Sequence, residues 1–205
     1  MNLEPIKIEP VTLTGQYVCL VPLTMDYLDA LWAIGRDQDL WKWAPYHIKT
    51  RDEMRTYIQT ALNWQAISTA LPFVTIAQAT DQVVGSTRFA NIDASNRRVE
   101  IGWTWIGTAW QRTPVNTEAK FLMLQHAFEV WRCFRVELKT DRLNERSRAA
   151  ILRLGAKEEG IFRHHMITES GRLRDSVYYS IIDSEWPEVK ARLQDLLARP
   201  FVPQT

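Results

Sequence analysis

Apolar and polar residues alternate with period two along residues 99–106, where Val99, Ile101, Trp103 and Trp105 fall on one face and Glu100, Gly102, Thr104 and Ile106 on the other. That is the pattern of a half-buried strand. The period then lengthens: Phe121, Leu124, Phe128 and Trp131 recur at three and four, which predicts a helix over 114–131 with one broad apolar stripe. Thr113 stands at its N-cap and Pro114 in its first turn, where a missing N–H loses no intrahelical partner. Elsewhere the same reading predicts strands over 17–21, 73–78, 83–92, 134–139, 161–167 and 177–182. Further helices carry Leu28, Leu31 and Ile34 (capped by Thr24 and Asp26, closed near Gly35), begin near Thr50, stop at Gly155 and span 187–198. Residues 1–12 are polar and proline-bearing and read as a loosely held arm. Gly85 and Gly102 interrupt strand patterns, as at a bulge or a close backbone approach by a ligand.

Three successive strands with tight links make an antiparallel meander, and the strand, helix, strand passage from 99 to 139 makes a parallel pair. The predicted fold is therefore α+β: one mixed, largely antiparallel twisted sheet with helices on both faces. A chain of 205 residues, 46% hydrophobic and 24% charged, fits a single domain, 1–205, with a sizeable core. A net charge of +1 gives no bulk attraction to nucleic acid or to an anionic membrane. No run reaches the ~20 apolar residues needed to span a bilayer, and the amino terminus lacks a secretory pattern, so a cytoplasmic protein is expected. Cys19 and Cys133 lie far apart and read as free thiols. His164 and His165 are adjacent, point to opposite faces of a strand, and suggest no metal site.

The helix start is where chemistry is expected. Val115, Asn116 and Thr117 present backbone N–H groups there, the helix dipole adds positive potential, and Arg112 adds a full charge. A phosphate or diphosphate is the natural guest, with plain capping as the alternative. Glu100 is either a reactive carboxylate or a surface group paired with Arg97 or Arg98. Trp41, Trp43 and Tyr46 crowd one loop, as packing or as an aromatic pocket wall. His126, inside the long helix, reads as structural. Arg142, Arg146, Arg148 and Arg153, interleaved with Asp141 and Glu145, form a solvated basic face or, less economically, an RNA contact.

Several stretches together resemble one family. They are EIGW at 100–103, VNTEAK at 115–120, NERS at 144–147, RLGA at 153–156, EGIFR at 159–163 and RDSVYYS at 174–180. Over residues 12–186 the chain resembles the GNAT superfamily of acyl-CoA-dependent N-acyltransferases, in its ribosomal-protein-alanine N-acetyltransferase-like branch. The family's Q/R-x-x-G-x-G/A loop aligns with Gln111, Arg112, Thr113, Pro114, Val115 and Asn116, so both glycines are replaced. The resemblance implies acetyl-CoA or another acyl-CoA as co-substrate, no metal, and a primary amine as acceptor, such as a protein amino terminus, attacked directly in a ternary complex. It implies that Gln111, Arg112, Thr113, Val115, Asn116 and Thr117 hold the diphosphate and that Asn144 meets the pantetheine amides. A splay beside the 99–106 strand admits that arm, and the N–H of Trp105 or Ile106 receives the oxyanion. Glu100 is then the expected base. Many relatives place a tyrosine seven residues after Asn144, but Ile151 stands there, which leaves Ser147 to meet the sulfur. Trp43 and Tyr46 would flank the acceptor. The competing reading is a module that holds CoA without turnover. An exposed aromatic loop would also offer a surface for a second copy of the chain.

Overall fold

The computed structural model describes residues 5–201. In chain order the elements are β1 (Leu13–Thr14), β2 (Val18–Pro22), α1 (Leu28–Gly35), α2 (Arg51–Ala66), β3 (Leu71–Ala77), β4 (Gln82–Asp93) and β5 (Arg98–Ile106), followed by α3 (Pro114–Gln125), β6 (Arg135–Asp141), α4 (Glu145–Leu154), β7 (Lys157–Ile167), β8 (Leu173–Ile182) and α5 (Trp186–Ala198). One eight-stranded sheet runs in the order β1-β2-β3-β4-β5-β6-β8-β7. Every neighbouring pair is antiparallel except β5 and β6. The expected α+β class and the parallel pair are both present. Among the described residues no helix is long and apolar enough to cross a membrane.

Helices cover both faces. On one, Leu124, Phe128 and Trp131 of the predicted stripe join Val99, Ile101, Val136 and Leu138 of the central strands, with Ile151, Leu154 and Leu193 from α4 and α5. On the other, α1 and α2 bring Leu28, Leu31, Met54 and Ile58 against Trp41, Val74 and Trp105. Glu118 ties α3 to the sheet edge: its carboxylate accepts from the N–H groups of Gln16, Tyr17 and Val18 at 2.8, 2.6 and 2.8 Å. A capping box of Thr50 and Glu53 opens α2, and Gly155, at φ 104°, closes α4 in a left-handed turn that suits glycine.

Four expectations need correction. The alternation in β5 does not persist, because Trp103 adopts φ 54° and the β4–β5 register slips between Ser86 and Arg88. Trp103 and Thr104 together oppose Thr87, a bulge that reverses the parity. Val99 and Ile101 therefore face α3, whereas Trp103 and Trp105 join the opposite core. The helix over 114–131 is α-helical only to Gln125 and finishes in a π turn over His126–Val130. Residues 5–12 are held rather than loose: Ile6, Ile8 and Val11 pack on the core, and Trp131 donates to the Lys7 carbonyl at 3.1 Å. The rest of the arm, residues 1–4, lies outside the described residues. Finally, Thr24 caps no amide; its hydroxyl donates to Asp26 instead.

Candidate active site

The parallel contact between β5 and β6 is short. Arg98, Val99 and Glu100 pair with Arg135, Val136 and Glu137, and there it ends. Beyond Glu100 the two strands part, β5 staying with β4 and β6 with β8. The open edge of β5 faces a gap, and a cavity of 740 Å³ runs through it from the head of α3 to the loop between α1 and α2. That volume suits an extended small molecule. The Gly107 N–H donates to Val84 at 2.8 Å, so alternation along the ladder turns the Ile106 peptide edge into the gap and the Trp105 edge toward Ser86. Accordingly, the Ile106 carbonyl accepts from Gln111 Nε2 at 3.0 Å, away from β4.

At the head of α3, Thr113 is the N-cap and its hydroxyl accepts weakly from the Val115 N–H at 3.4 Å. With the cap at 113, the N–H of Asn116 lacks an intrahelical partner, whereas Thr117 comes one residue too late to present its own. The Thr117 side chain contributes instead, accepting from Arg153 Nη2 at 2.8 Å. Arg112 adopts φ 62°, a conformation costing a non-glycine residue about 1 kcal/mol, and stays exposed beside the cavity. Arg146 donates to Gln111 Oε1. Asn116 Oδ1 is buried in the cavity wall without a partner, an acceptor awaiting an amide or hydroxyl donor. Cations, a free helix N-terminus and an orphaned acceptor suit the diphosphate and pantetheine portions of a CoA thioester.

Glu100 lies on the sheet face turned away from α3 and is 3% exposed. It pairs with neither Arg97 nor Arg98. Its Oε2 is held by Lys139 Nζ at 3.0 Å and Asn91 Nδ2 at 2.9 Å, while Oε1 has no hydrogen-bond partner among the described residues. Glycine next door leaves this carboxylate its place, since a Cβ on Gly102 would fall 2.6 Å from that oxygen and displace it. Trp43 and Tyr46 line the same end of the cavity, with Tyr46 stacked on Trp103 at 5.3 Å and 17°. Burial, then the neighbouring Tyr57, keeps the Tyr46 phenol well above its ordinary pKa, so it is a neutral donor.

A family model for the acetyltransferase (GNAT) domain matches residues 18–157. The chain belongs to the GNAT acetyltransferase family. A GCN5-related N-acetyltransferase structure from Brucella melitensis is 34% identical with a TM-score of 0.88, over 96% of this chain and 90% of that one. A Bacillus subtilis protein named for ribosomal N-acetyltransfer, YdaF, is 30% identical over 75% of this chain and 83% of its own length. The structure of Mycobacterium smegmatis RimJ in complex with CoA-disulfide shares the fold, with 22% identity and a TM-score of 0.80 over 95% and 97% of the two chains. The resemblance read from the motifs thus holds, and this is an N-acetyltransferase of a family that uses acetyl-CoA.

Other predicted residues take more particular positions in this GNAT fold. Asn144 is the N-cap of α4, its Oδ1 accepting from the Ser147 N–H at 3.1 Å, and both side chains line the gap. The arginines near α4 are not paired with Asp141 and Glu145. Arg142 reaches Asp175, Arg148 reaches Tyr179 and Glu158, Arg153 reaches Thr117, and Asp141 is buried with Arg172 and Arg174. His126 packs between Phe89 and Trp131, and burial lowers its pKa. His165 Nδ1 meets Ser176 Oγ at 3.0 Å and is kept neutral by burial and by Lys139 and Arg174. Among the described residues no three His, Cys, Asp or Glu side chains are grouped to hold a metal ion.

Sequence reading missed three charged groups lining this site, Lys139, Arg174 and Lys120, and a fourth, Arg88, buried behind its aromatic wall. Arg174 donates to the Trp43 carbonyl at 3.5 Å and so links the aromatic loop to β8. Arg88 is fully buried, its guanidinium 4.7 Å from the Trp103 ring, 4.9 Å from Tyr57 and 5.5 Å from Trp64. Lys120 is also buried, and it lines the gap. Their neighbours in sequence do not show what surrounds them: Lys139, Arg174 and Arg88 acquire their surroundings through strand pairing, and Lys120 through the packing of α3 on the β5 bulge.

Proposed function

We propose that this GNAT enzyme acts as one acyltransferase domain that moves an acetyl group from acetyl-CoA to a primary amine at a protein amino terminus, by direct attack in a ternary complex. The observation that carries the reading is the gap itself, with an open β5 edge, a cationic helix start at one end and a buried carboxylate with one free oxygen at the other. Asn116, the α3 amides, Thr113, Gln111 and the surrounding arginines hold the diphosphate. Asn144 faces the pantetheine arm. The acceptor amine enters between Trp43, Tyr46 and Glu100, and Glu100 Oε1 takes its proton, directly or through a water. The outward N–H of Ile106, rather than that of Trp105, receives the developing oxyanion. Ser147 donates a hydrogen bond to the sulfur. A protein amino terminus is favoured over a small amine by the likeness to the relative named for ribosomal N-acetyltransfer.

The test supplies acetyl-CoA with two peptide sets, one with free amino termini and one blocked there but carrying lysine, and follows free thiol and peptide mass. Thiol release with a 42 Da gain on the free-terminus set is the expected result, the gain following from replacing hydrogen by acetyl. Acetylation confined to lysine would overturn the acceptor, and CoA binding without thiol release would establish the non-catalytic module.

A further inference from the structure

Lys120 has no place in the reading so far, yet it occupies an unusual position. It stands in the second turn of α3, is 5% exposed, and reaches toward the β5 bulge. Its Nζ donates to Thr104 Oγ1 at 2.6 Å and to Thr87 Oγ1 at 3.1 Å, and the two hydroxyls lie 2.7 Å from each other. It lines the same gap as Gly102, Thr104 and Ile151. A buried ammonium normally has a carboxylate partner, and this one has none among the described residues. From β4 and β5 only the two threonine hydroxyls face it. On α3, Glu118 is turned to the backbone of residues 16–18. From α4, Arg153 is engaged with Thr117, and from α5, Lys190 is paired with Glu129. Glu100 and Lys139 lie on the other sheet face, bound to each other.

Resting on the acetyltransferase reading, we propose that Lys120 is the acid that protonates the departing CoA thiolate. It takes the place that the apolar Ile151 side chain cannot fill. Ser147 remains a hydrogen-bond donor to the sulfur, since an alcohol is a far weaker acid than an ammonium. The step balances: the amine nitrogen forms the C–N bond and its proton passes to Glu100, the C–S bond breaks with its electron pair on sulfur, and that sulfur takes a proton from Lys120 Nζ. Solvent then restores the proton to Lys120 and removes the one on Glu100. Burial alone lowers the Lys120 ammonium to about 7, below the ~8.5 of an ordinary thiol, so the transfer runs downhill at neutral pH. The two hydroxyls keep the ammonium aimed at the mouth of the bulge.

The decisive readout is the ionisation of bound CoA itself, followed by thiolate ultraviolet absorbance against pH in wild type, Lys120→Met and Lys120→Arg. In wild type the ammonium loses its proton before the thiol does, so only a permanent charge at this position lowers the thiol's titration midpoint. Lys120→Arg is therefore expected to titrate about one unit or more below Lys120→Met, with wild type close to Lys120→Met. Turnover at saturating acetyl-CoA should fall about 100-fold in Lys120→Met, with the Kd for CoA changed only a few fold. A Lys120→Arg midpoint no lower than that of Lys120→Met overturns the assignment. Wild-type turnover at saturating acetyl-CoA should fall as the pH rises through about 7, where the ammonium is lost, and the absence of that fall overturns the assignment even if neither variant folds. Failure of wild type to bind CoA would instead remove the acetyltransferase reading on which the assignment rests.

Discussion

The two faces of the sheet meet at one gap but are built from different materials. On the α3 side the prospective contacts are backbone N–H groups, a short polar cap and exposed arginines, and the rings of the core there, Phe128 and Trp131 among them, stay beneath the helix away from the gap. On the α1–α2 side they are rings: Trp41 lies 5.3 Å from Trp105, Tyr46 stacks on Trp103, and Trp64 meets Trp103 edge-on at 5.0 Å. A backbone site suits a donor whose diphosphate never varies, because main-chain N–H groups recognise an oxyanion whatever side chains surround them. A ring-lined site sets which acceptor fits, because its shape and polarity are written entirely in side chains. The division implies that changes on one side should alter donor affinity, and changes on the other should alter turnover or acceptor affinity.

The largest expected effect comes from Glu100→Gln. Removing the proposed base should reduce turnover at neutral pH by about 100-fold or more while CoA binds as before, since the carboxylate faces away from α3. Steady-state rates paired with calorimetry of CoA binding check both halves. A loss of CoA affinity as large as the loss of rate would break the division between the faces. A smaller effect of opposite kind is expected from Arg153→Ala. The exposed guanidinium that reaches Thr117 at the head of α3 should contribute about tenfold to CoA affinity, and saturated turnover should be untouched. A fall in turnover at saturating acetyl-CoA would show that the head of α3 does more than hold the donor.

The same division explains what could be read in advance. The head of α3 was legible because capping is local: Thr113, Pro114 and the free N–H groups after them lie within four residues. The parallel pair and the meander were legible because they follow from element order. The parity of β5 was not, since the bulge at Trp103 depends on how two residues oppose Thr87 on β4. Once that parity reverses, the aromatic wall belongs to the opposite face from the one alternation assigns. The partner of Glu100 was equally hidden: Arg97 and Arg98 are neighbours in sequence, but Lys139 lies beside it through the β5–β6 pairing. Lys120 escaped notice because a lysine between apolar helix positions ordinarily snorkels to solvent. Here the bulge roofs it over.

Arg88 gives the smallest effect and the sharpest test of the ring-lined side. Its guanidinium is fully buried, Nε and Nη2 have no hydrogen-bond partner, and no ion pair includes it among the described residues. Three ring faces attract it, each by roughly 0.5–2 kcal/mol, against a desolvation cost of several kcal/mol. The balance predicts that Arg88→Met, similar in reach and free of buried donors, raises the melting temperature by about 2–4 °C, corresponding to ~1 kcal/mol for a chain of this size. Stability would then not be the reason for the cation. The rings it gathers are Trp103, Tyr57 and Trp64, and Trp103 also carries Tyr46 into the acceptor end of the cavity. Without the charge the indole and phenol faces lose the attraction that turns them inward, so acceptor KM should rise by about tenfold while CoA affinity stays fixed. Calorimetric melting and acceptor saturation curves on the same protein separate the possibilities. A lower melting temperature with unchanged KM would make Arg88 a purely structural cation, and the aromatic wall would then owe its shape to ring packing alone.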